Sequence, residues 1–152
     1  RSQQSNNQDN AVDFGYVFHE IMSRIYVKTD VEDAIQHAYN QGNIGIDQVD
    51  MLTKLIDELV NHNELGHFFN SKGIQYNERT LLSPEGISLR PDCFVVLPNK
   101  QAAILDYKTG KARPAHKNQL NEYASLLEKL GYTIRGKTIV YISKTISLKH
   151  IY

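Results

Sequence analysis

The segment from Leu89 to Gly110, LRPDCFVVLPNKQAAILDYKTG, constrains the fold of this chain more than any other stretch. Two strand-like apolar runs, CFVVL and AAILDYK, flank a short PNKQ turn, and this pattern predicts a β-hairpin. Asp92 opens the first strand, and Asp106 ends the second just before Lys108. Because strand side chains alternate between faces, Asp106 and Lys108 are predicted to share a face. If the loop holds three residues, Asp92 lies opposite Asp106, although the sequence leaves this register open.

Two carboxylates and an ammonium group at one point of a half-buried hairpin carry a desolvation cost. That cost is offset when a cation or a substrate phosphate binds among them, which favours a functional site. The alternative is an ordinary surface ion pair between Asp106 and Lys108 at a strand end.

The wider pattern resembles a known family. Pro91 and Asp92, thirteen residues, and then D-x-K-T-G from Asp106 resemble the active-site core of the PD-(D/E)xK nucleases. Gln119 and Tyr123 stand four apart in the next helical segment, as in the Q-x-x-x-Y signature of the RecB-like branch of that superfamily. These elements lie within about residues 11–143, which is nearly the whole chain.

On the first helical segment, Gly15 and His19 match the G-x-x-x-H position at which the RecB-like branch supplies a histidine metal ligand. The resemblance implies a deoxyribonuclease that depends on Mg²⁺ or Mn²⁺ and hydrolyses phosphodiester bonds. The implied metal ligands are His19, Asp92, Asp106 and the main-chain carbonyl of Tyr107. From the residues alone, His19 beside an apolar stripe is equally compatible with a hydrogen-bonded core histidine.

The catalytic set that the resemblance implies is Asp92, Asp106, Lys108, Gln119 and Tyr123. Lys108 would orient the attacking water and stabilise developing negative charge. Gln119 and Tyr123 would touch the phosphate of the cleaved strand or brace Lys108. Without the resemblance, Tyr123 would be read as a core residue with its hydroxyl at the rim.

In this family such a domain often stands at the C-terminal end of a RecB- or UvrD-type helicase. The implied partners are therefore DNA and a helicase motor domain in the same chain, in DNA repair or recombination in the bacterial cytoplasm near the nucleoid. The chain begins without methionine, so we expect a monomeric fragment of a longer protein. The alternative function is a catalytically silent nuclease fold that serves as a DNA-binding or assembly module.

For the fold, 152 residues with 41% apolar content predict one domain, residues 11–152, after a polar linker or cloning remnant at 1–10. The implied class is α/β, with a restriction-endonuclease-like mixed central sheet flanked by helices and a helical N-terminal half. We predict helices near 11–26, 30–41, 47–63 and 114–130, strands near 74–83, 87–97, 102–108 and 137–143, and an edge strand in the tail.

Composition narrows the function classes. The single cysteine, Cys93, excludes a disulfide framework and a four-cysteine metal or iron–sulfur site within this chain. The net charge is zero, but residues 1–99 hold 7 basic against 14 acidic residues and residues 100–152 hold 10 against 3. The basic part includes Lys111, Arg113 and Lys117 after the hairpin, which is compatible with a solvated surface or with a phosphate-facing patch. No apolar run approaches the roughly 18 residues that a membrane span needs, so no membrane contact is expected.

One phosphate-binding pattern is excluded. From Gly131 to Thr138 the sequence matches G-x-x-x-x-G-K-T, but a P-loop needs the order strand, loop, helix. Here a helical segment comes first and a strand-like run follows, so we do not expect nucleotide binding.

Overall fold

The computed structural model describes the backbone of residues 2–152 and the side chains of residues 13–152. The α-helices are α1 (Ser2–Ser23), α2 (Val31–Asn40), α3 (Ile46–Val60) and α4 (Pro114–Lys129). The strands are β1 (Ile74–Asn77), β2 (Leu81–Leu82), β3 (Ser88–Leu89), β4 (Cys93–Leu97), β5 (Gln101–Lys108), β6 (Thr133–Ile142) and β7 (Ile146–His150).

Five strands form one mixed sheet in the order β1-β4-β5-β6-β7. Neighbouring strands are antiparallel except β5 and β6, which are parallel and are connected through α4. The short strands β2 and β3 form a separate antiparallel pair. The predicted class, a mixed α/β sheet flanked by helices with a helical N-terminal half, is confirmed, and so is the edge strand in the tail.

The two faces of the sheet bury different helices. Along β5, Ala103, Leu105 and Tyr107 pack in the large core formed with α1, α2 and α3. The alternate residues Ala102 and Ile104 pack in the smaller core formed with α4. Asp106 and Lys108 continue this second series, so the two-residue period places them on the face that α4 covers.

The hairpin register decides where the two carboxylates meet. Cys93 pairs with Leu105 and Leu97 pairs with Gln101, so the loop Pro98–Lys100 holds three residues. Asn99 and Lys100 in that loop have positive φ angles of 63° and 55°. One position beyond the Cys93–Leu105 pair, this register brings Asp92 opposite Asp106. The conditional prediction from the sequence is therefore confirmed.

Several predicted strands are shorter or longer than expected. The strand predicted at 74–83 is divided into β1 and β2, because Glu78 adopts a positive φ of 54° that strand geometry does not allow. The strand predicted at 87–97 is interrupted between β3 and β4, where Pro91 lacks the N–H that a ladder requires. The strand predicted at 137–143 begins earlier, at Thr133.

The first helix also differs from its predicted range. It ends at Ser23 rather than near 26, and it begins at Ser2, so the segment 1–10 predicted as a linker is helical from Ser2 onward. Adding residues to an existing helix is inexpensive, which allows a polar segment without periodicity to continue it. Residue 1 lies outside the described residues. Within the described part, no helix combines the length and apolar character needed to cross a membrane.

The P-loop-like pattern is part of a strand. Gly131 makes a turn with a φ of 97°, and Gly136 to Thr138 lie inside β6. The residues from Gly136 to Thr138 pair with β5 in the sheet. No helix follows them directly, so the motif lacks the helix N-terminus that holds phosphates in a P-loop. The exclusion of nucleotide binding at this motif is therefore supported by the backbone.

Candidate active site

His19 on α1 reaches the end of the central hairpin through a close approach of helix and loop. A Cβ atom added at Gly15 would lie 2.8 Å from the Thr109 side chain, so glycine allows α1 to lie against the segment after β5. One turn later, His19 Nε2 lies 3.1 Å from Asp92 Oδ2 and 2.9 Å from the carbonyl oxygen of Tyr107. Two of the other predicted metal ligands therefore lie within about 3 Å of His19 Nε2.

The second ring nitrogen of His19 is held by its own helix. Nδ1 lies 2.8 Å from the carbonyl oxygen of Gly15, which can only accept a hydrogen bond. This contact places a proton on Nδ1 and leaves Nε2 as the nitrogen that faces Asp92 and Tyr107. A carbonyl that orients a histidine in this way is the usual outer partner of a metal-ligating imidazole.

The imidazole is strongly basic in this surrounding. Burial lowers the pKa of His19, but the hydrogen bond and charge of Asp92, with the carbonyls of Gly15 and Tyr107, outweigh burial and raise the pKa to about 9. Without a metal, both ring nitrogens therefore carry protons at neutral pH. Nδ1 then donates to the Gly15 carbonyl, and Nε2 donates to Asp92 and the Tyr107 carbonyl.

Asp92 stands directly before β4, and its carboxylate is tied into the hairpin. The main-chain N–H of Tyr107 donates to Asp92 Oδ2 at 2.9 Å. Burial raises the pKa of Asp92, but hydrogen bonds from His19, Asp106 and Tyr107 and the charge of His19 bring the pKa below its ordinary value. Asp92 is thus the member of the carboxyl pair that stays ionised.

Asp106 has the opposite electrostatic environment. The residue is 1% exposed, and burial together with the charge of Asp92 raises its pKa to about 7 despite Lys108. Lys108 Nζ lies 2.9 Å from Asp106 Oδ2, which makes an ion pair. The geometry of this contact is not that of a hydrogen bond, and Oδ2 has no hydrogen-bond partner among the described residues. This buried carboxylate oxygen therefore has a charge partner but no well-oriented hydrogen-bond donor.

Lys108 is held from the other side by α4. Its Nζ donates to Gln119 Oε1 at 2.7 Å, so Gln119 braces Lys108 between the helix and Asp106. Tyr123, one turn further along α4, is 5% exposed and packs with Phe94 in the smaller core. Burial, followed by the charge of Asp106, raises the pKa of Tyr123. Gln119 thus makes the predicted bracing contact with Lys108, and a contact of Gln119 or Tyr123 with the phosphate of the cleaved strand stays a prediction.

The donor set fits a hard divalent cation. It combines two carboxylates, a carbonyl and an imidazole whose outer nitrogen is already oriented, and Oδ2 of Asp106 lacks a partner. As the side chains stand, no three His, Cys, Asp or Glu residues of the described part are grouped tightly enough to hold a metal ion. One proposed donor is a main-chain carbonyl, and Asp106 is directed towards Lys108, so metal binding would draw Asp106 away from that ion pair.

Two neighbours of this site were not predicted from the sequence. Tyr141 on β6 is the register partner of Lys108, and its hydroxyl lies 3.0 Å from Nδ1 of His116 on α4. His116 stands one turn before Gln119, so the spacing that identified Gln119 could also have indicated His116. Tyr141 carries no such signal, because only the pairing of β5 with β6 brings it here.

Other charged residues border the site. Glu78 forms a structural ion pair with Arg90 at 2.7 Å. Lys111, Arg113 and Lys117 are exposed on the loop after β5 and the first turns of α4. They extend positive charge outward from Lys108.

A second polar chain lies where the pairing of β6 with β7 begins. His150 contacts Thr138 at 2.9 Å and Glu64 at 3.1 Å, beside a cavity of about 470 Å³ lined by Glu64 and His150. Thr138 is 5% exposed, so its hydroxyl is a buried structural group rather than an accessible nucleophile. None of the predicted site residues lines this cavity.

Comparison with known proteins identifies no family for this chain. No protein-family model matches the chain, and no curated protein matches it. Among solved structures, a crystal structure of SSO0001 is similar, with 17% sequence identity and a TM-score of 0.36. The match covers 88% of this chain, and the chain spans 65% of the length of that protein. We draw no conclusion about fold family or function from a similarity this weak.

Proposed function

We propose that this protein is a metal-dependent nuclease that hydrolyses phosphodiester bonds of DNA with Mg²⁺ or Mn²⁺. The observation that carries the proposal is that Asp92 Oδ2 and the Tyr107 carbonyl oxygen both lie within about 3 Å of His19 Nε2, beside a buried Asp106. These groups come from a helix, a strand start and a strand end that are distant in sequence. Their meeting matches the residues that the PD-(D/E)xK resemblance selects, and it supports a restriction-endonuclease-like active site.

In this proposal His19, Asp92, Asp106 and the Tyr107 carbonyl hold the divalent cation. A cation held there would activate water for attack and neutralise charge on the phosphate. Asp92 enters this role already ionised, whereas His19 and Asp106 each release a proton first, because their pKa values are raised. The one imidazole among oxygen donors shifts the preference towards Mn²⁺.

Lys108 supplies the fixed positive charge of the reaction. Its ammonium group orients the attacking water and stabilises the negative charge that develops on the phosphate oxygens. Gln119 keeps Nζ in place through the 2.7 Å hydrogen bond, so Lys108 stays aimed at the site when Asp106 turns towards a metal. Tyr123 supports this part of α4 from the smaller core.

The surrounding charge is compatible with a polyanionic substrate. Lys111, Arg113 and Lys117 are exposed next to the site and would contact backbone phosphates on either side of the cleaved bond. In the wider proposal, the domain is the nuclease module of a RecB- or UvrD-type helicase in bacterial DNA repair or recombination. The motor domain would then deliver the strand.

A catalytically silent fold is the second candidate, and one observation favours it. Asp92 Oδ2 already accepts hydrogen bonds from His19 and from the Tyr107 N–H, so this part of the site is satisfied without a metal. A silent domain would bind DNA through its basic surface without cutting it.

Cleavage of labelled DNA separates the two candidates. The purified protein is incubated with linear and circular, single- and double-stranded DNA in Mg²⁺, Mn²⁺ or EDTA, beside the Asp106→Ala variant. The matched control is Asp50→Ala, which removes an exposed aspartate paired with Lys54 on α3. The nuclease proposal expects metal-dependent cleavage that is retained in Asp50→Ala and lost in Asp106→Ala. Binding without cleavage under every condition would support the silent fold instead.

A further inference from the structure

A histidine and a tyrosine form a pair beside Lys108 that the proposed reaction does not use. His116 lies on α4 and Tyr141 on β6, with the tyrosine hydroxyl 3.0 Å from His116 Nδ1. Tyr141 is next to Lys108 in the parallel β5–β6 ladder, and His116 precedes Gln119, which holds Lys108, by one helical turn. The pair therefore continues the row of polar groups outward from Lys108.

The hydrogen bonds at Nδ1 determine which nitrogen of His116 carries the proton. The main-chain N–H of Arg113 lies 3.4 Å from Nδ1 and can only donate, so Nδ1 acts as an acceptor. The Tyr141 hydroxyl, at 3.0 Å, is then the closer donor to the single lone pair of Nδ1, which the Arg113 N–H shares from 3.4 Å. Burial and the charges of Lys108 and Arg113 lower the pKa of His116, which favours the neutral ring. The proton is thus on Nε2, for which the described residues provide no partner.

We propose that His116 binds a phosphate of the nucleic-acid backbone through its Nε2–H group and that Tyr141 positions the ring for this contact. The phosphate would be one that neighbours the cleaved bond, because Lys108 occupies the position next to Asp106. This inference rests on the proposed nuclease function and names an additional substrate-binding residue for it. A neutral N–H donor beside several cations suits a phosphate oxygen, which accepts hydrogen bonds strongly.

The simpler role for His116 is local. It stands at the third position of α4, and its Nδ1 accepts from the main-chain N–H of Arg113, the residue before the helix. This contact is one half of a capping box. A glutamate or glutamine at this position would serve the cap equally well. The two roles therefore predict different results for substitutions that keep the acceptor.

The decisive variants are His116→Glu and His116→Gln, measured as KM and kcat on a short DNA substrate in Mn²⁺. Both keep an acceptor for the Arg113 N–H and for the Tyr141 hydroxyl, but only glutamine also offers an N–H donor. Asn118→Glu is the charge control, because residue 118 is exposed on the same helix about 200° around from His116. Tyr141→Phe removes the positioning hydroxyl.

We expect His116→Glu to raise KM at least about tenfold with kcat changed much less, since a hydrogen bond to a charged group is lost and a like charge is added. His116→Gln and Asn118→Glu should stay within about threefold of wild type, and Tyr141→Phe should raise KM by a smaller factor than His116→Glu. A wild-type KM in His116→Glu, or an equal rise in Asn118→Glu, would overturn the role of His116 while leaving the nuclease proposal intact. A wild-type protein that cuts no DNA would overturn both.

Discussion

Replacing Asp106 by asparagine is expected to stabilise the metal-free protein above neutral pH while abolishing cleavage. The Asp106 carboxyl group is 1% exposed, and one of its oxygens lacks a hydrogen-bond partner in the described part of the chain. Burial and the charge of Asp92 raise its pKa to about 7 from the ordinary value of 3.8. Asparagine has nearly the same volume, carries no charge, and keeps an amide oxygen that can face the Lys108 ammonium group.

The sign and size of the effect follow from proton linkage. The folded protein holds the Asp106 proton to higher pH than the unfolded chain does, so the free energy of unfolding falls as the pH rises from roughly 4 to 7. The pKa difference corresponds to roughly 4 kcal/mol at about 1.36 kcal/mol per unit. Water that reaches an ionised carboxylate reduces such a penalty, so we expect Asp106→Asn to gain about 2 kcal/mol at about pH 8 and almost nothing near pH 4.

Urea unfolding in EDTA at these two pH values, for wild type and Asp106→Asn, measures the effect. Asp92→Asn is the internal control with the opposite sign. Burial raises the pKa of Asp92, but His19, Asp106 and Tyr107 lower it overall, so its ionised form stabilises the fold. Asp92→Asn should therefore be less stable than wild type at about pH 8, and the deficit should shrink as the pH falls through the lowered pKa. Added Mn²⁺ should stabilise wild type more than either variant.

A failure of this pattern would be informative. If Asp106→Asn is no more stable than wild type at about pH 8 in EDTA, Asp106 is not held at an electrostatic cost. Its burial would then give no indication that the carboxylate is kept for a cation. If Mn²⁺ stabilises Asp106→Asn as much as wild type, Asp106 is not a ligand.

Three further predictions concern Lys108, His19 and a glycine before β1. Lys108→Ala should leave calorimetric Mn²⁺ binding nearly unchanged but lower kcat about 100-fold, and an unchanged kcat would make Lys108 only an ion-pair partner. Because His19 has a pKa of about 9, Mn²⁺ binding at about pH 8 should release protons, seen as a dependence of the binding heat on buffer ionisation enthalpy. His19→Ala should reduce this release and raise the Mn²⁺ requirement. Gly73→Ala should lower the free energy of unfolding by about 2 kcal/mol in urea without changing metal binding, because its Cβ would lie 2.7 Å from the Val96 carbonyl oxygen.

The local part of the site could be predicted from the sequence. Strand alternation placed Asp106 and Lys108 on one face, and they form an ion pair at 2.9 Å. The three-residue loop made Asp92 the opposite neighbour of Asp106 once the register was known. Helical spacing placed Gln119 and Tyr123 on one side of α4. These relations follow from the covalent geometry of strands and helices, which is the same wherever the chain folds.

Tertiary structure decided the rest, because it depends on packing between segments far apart in the chain. Only the close approach of α1 at Gly15 brings His19 to Asp92 and the Tyr107 carbonyl, and only the β5–β6 pairing brings Tyr141 to His116. The opposite pKa shifts of Asp92 and Asp106 also arise there. Both carboxyl groups are buried, but at Asp92 the hydrogen bonds and the charge of His19 outweigh burial, whereas at Asp106 burial and the charge of Asp92 outweigh Lys108. Residue spacing therefore identified the chemical groups, and their three-dimensional surroundings determined which of them hold protons.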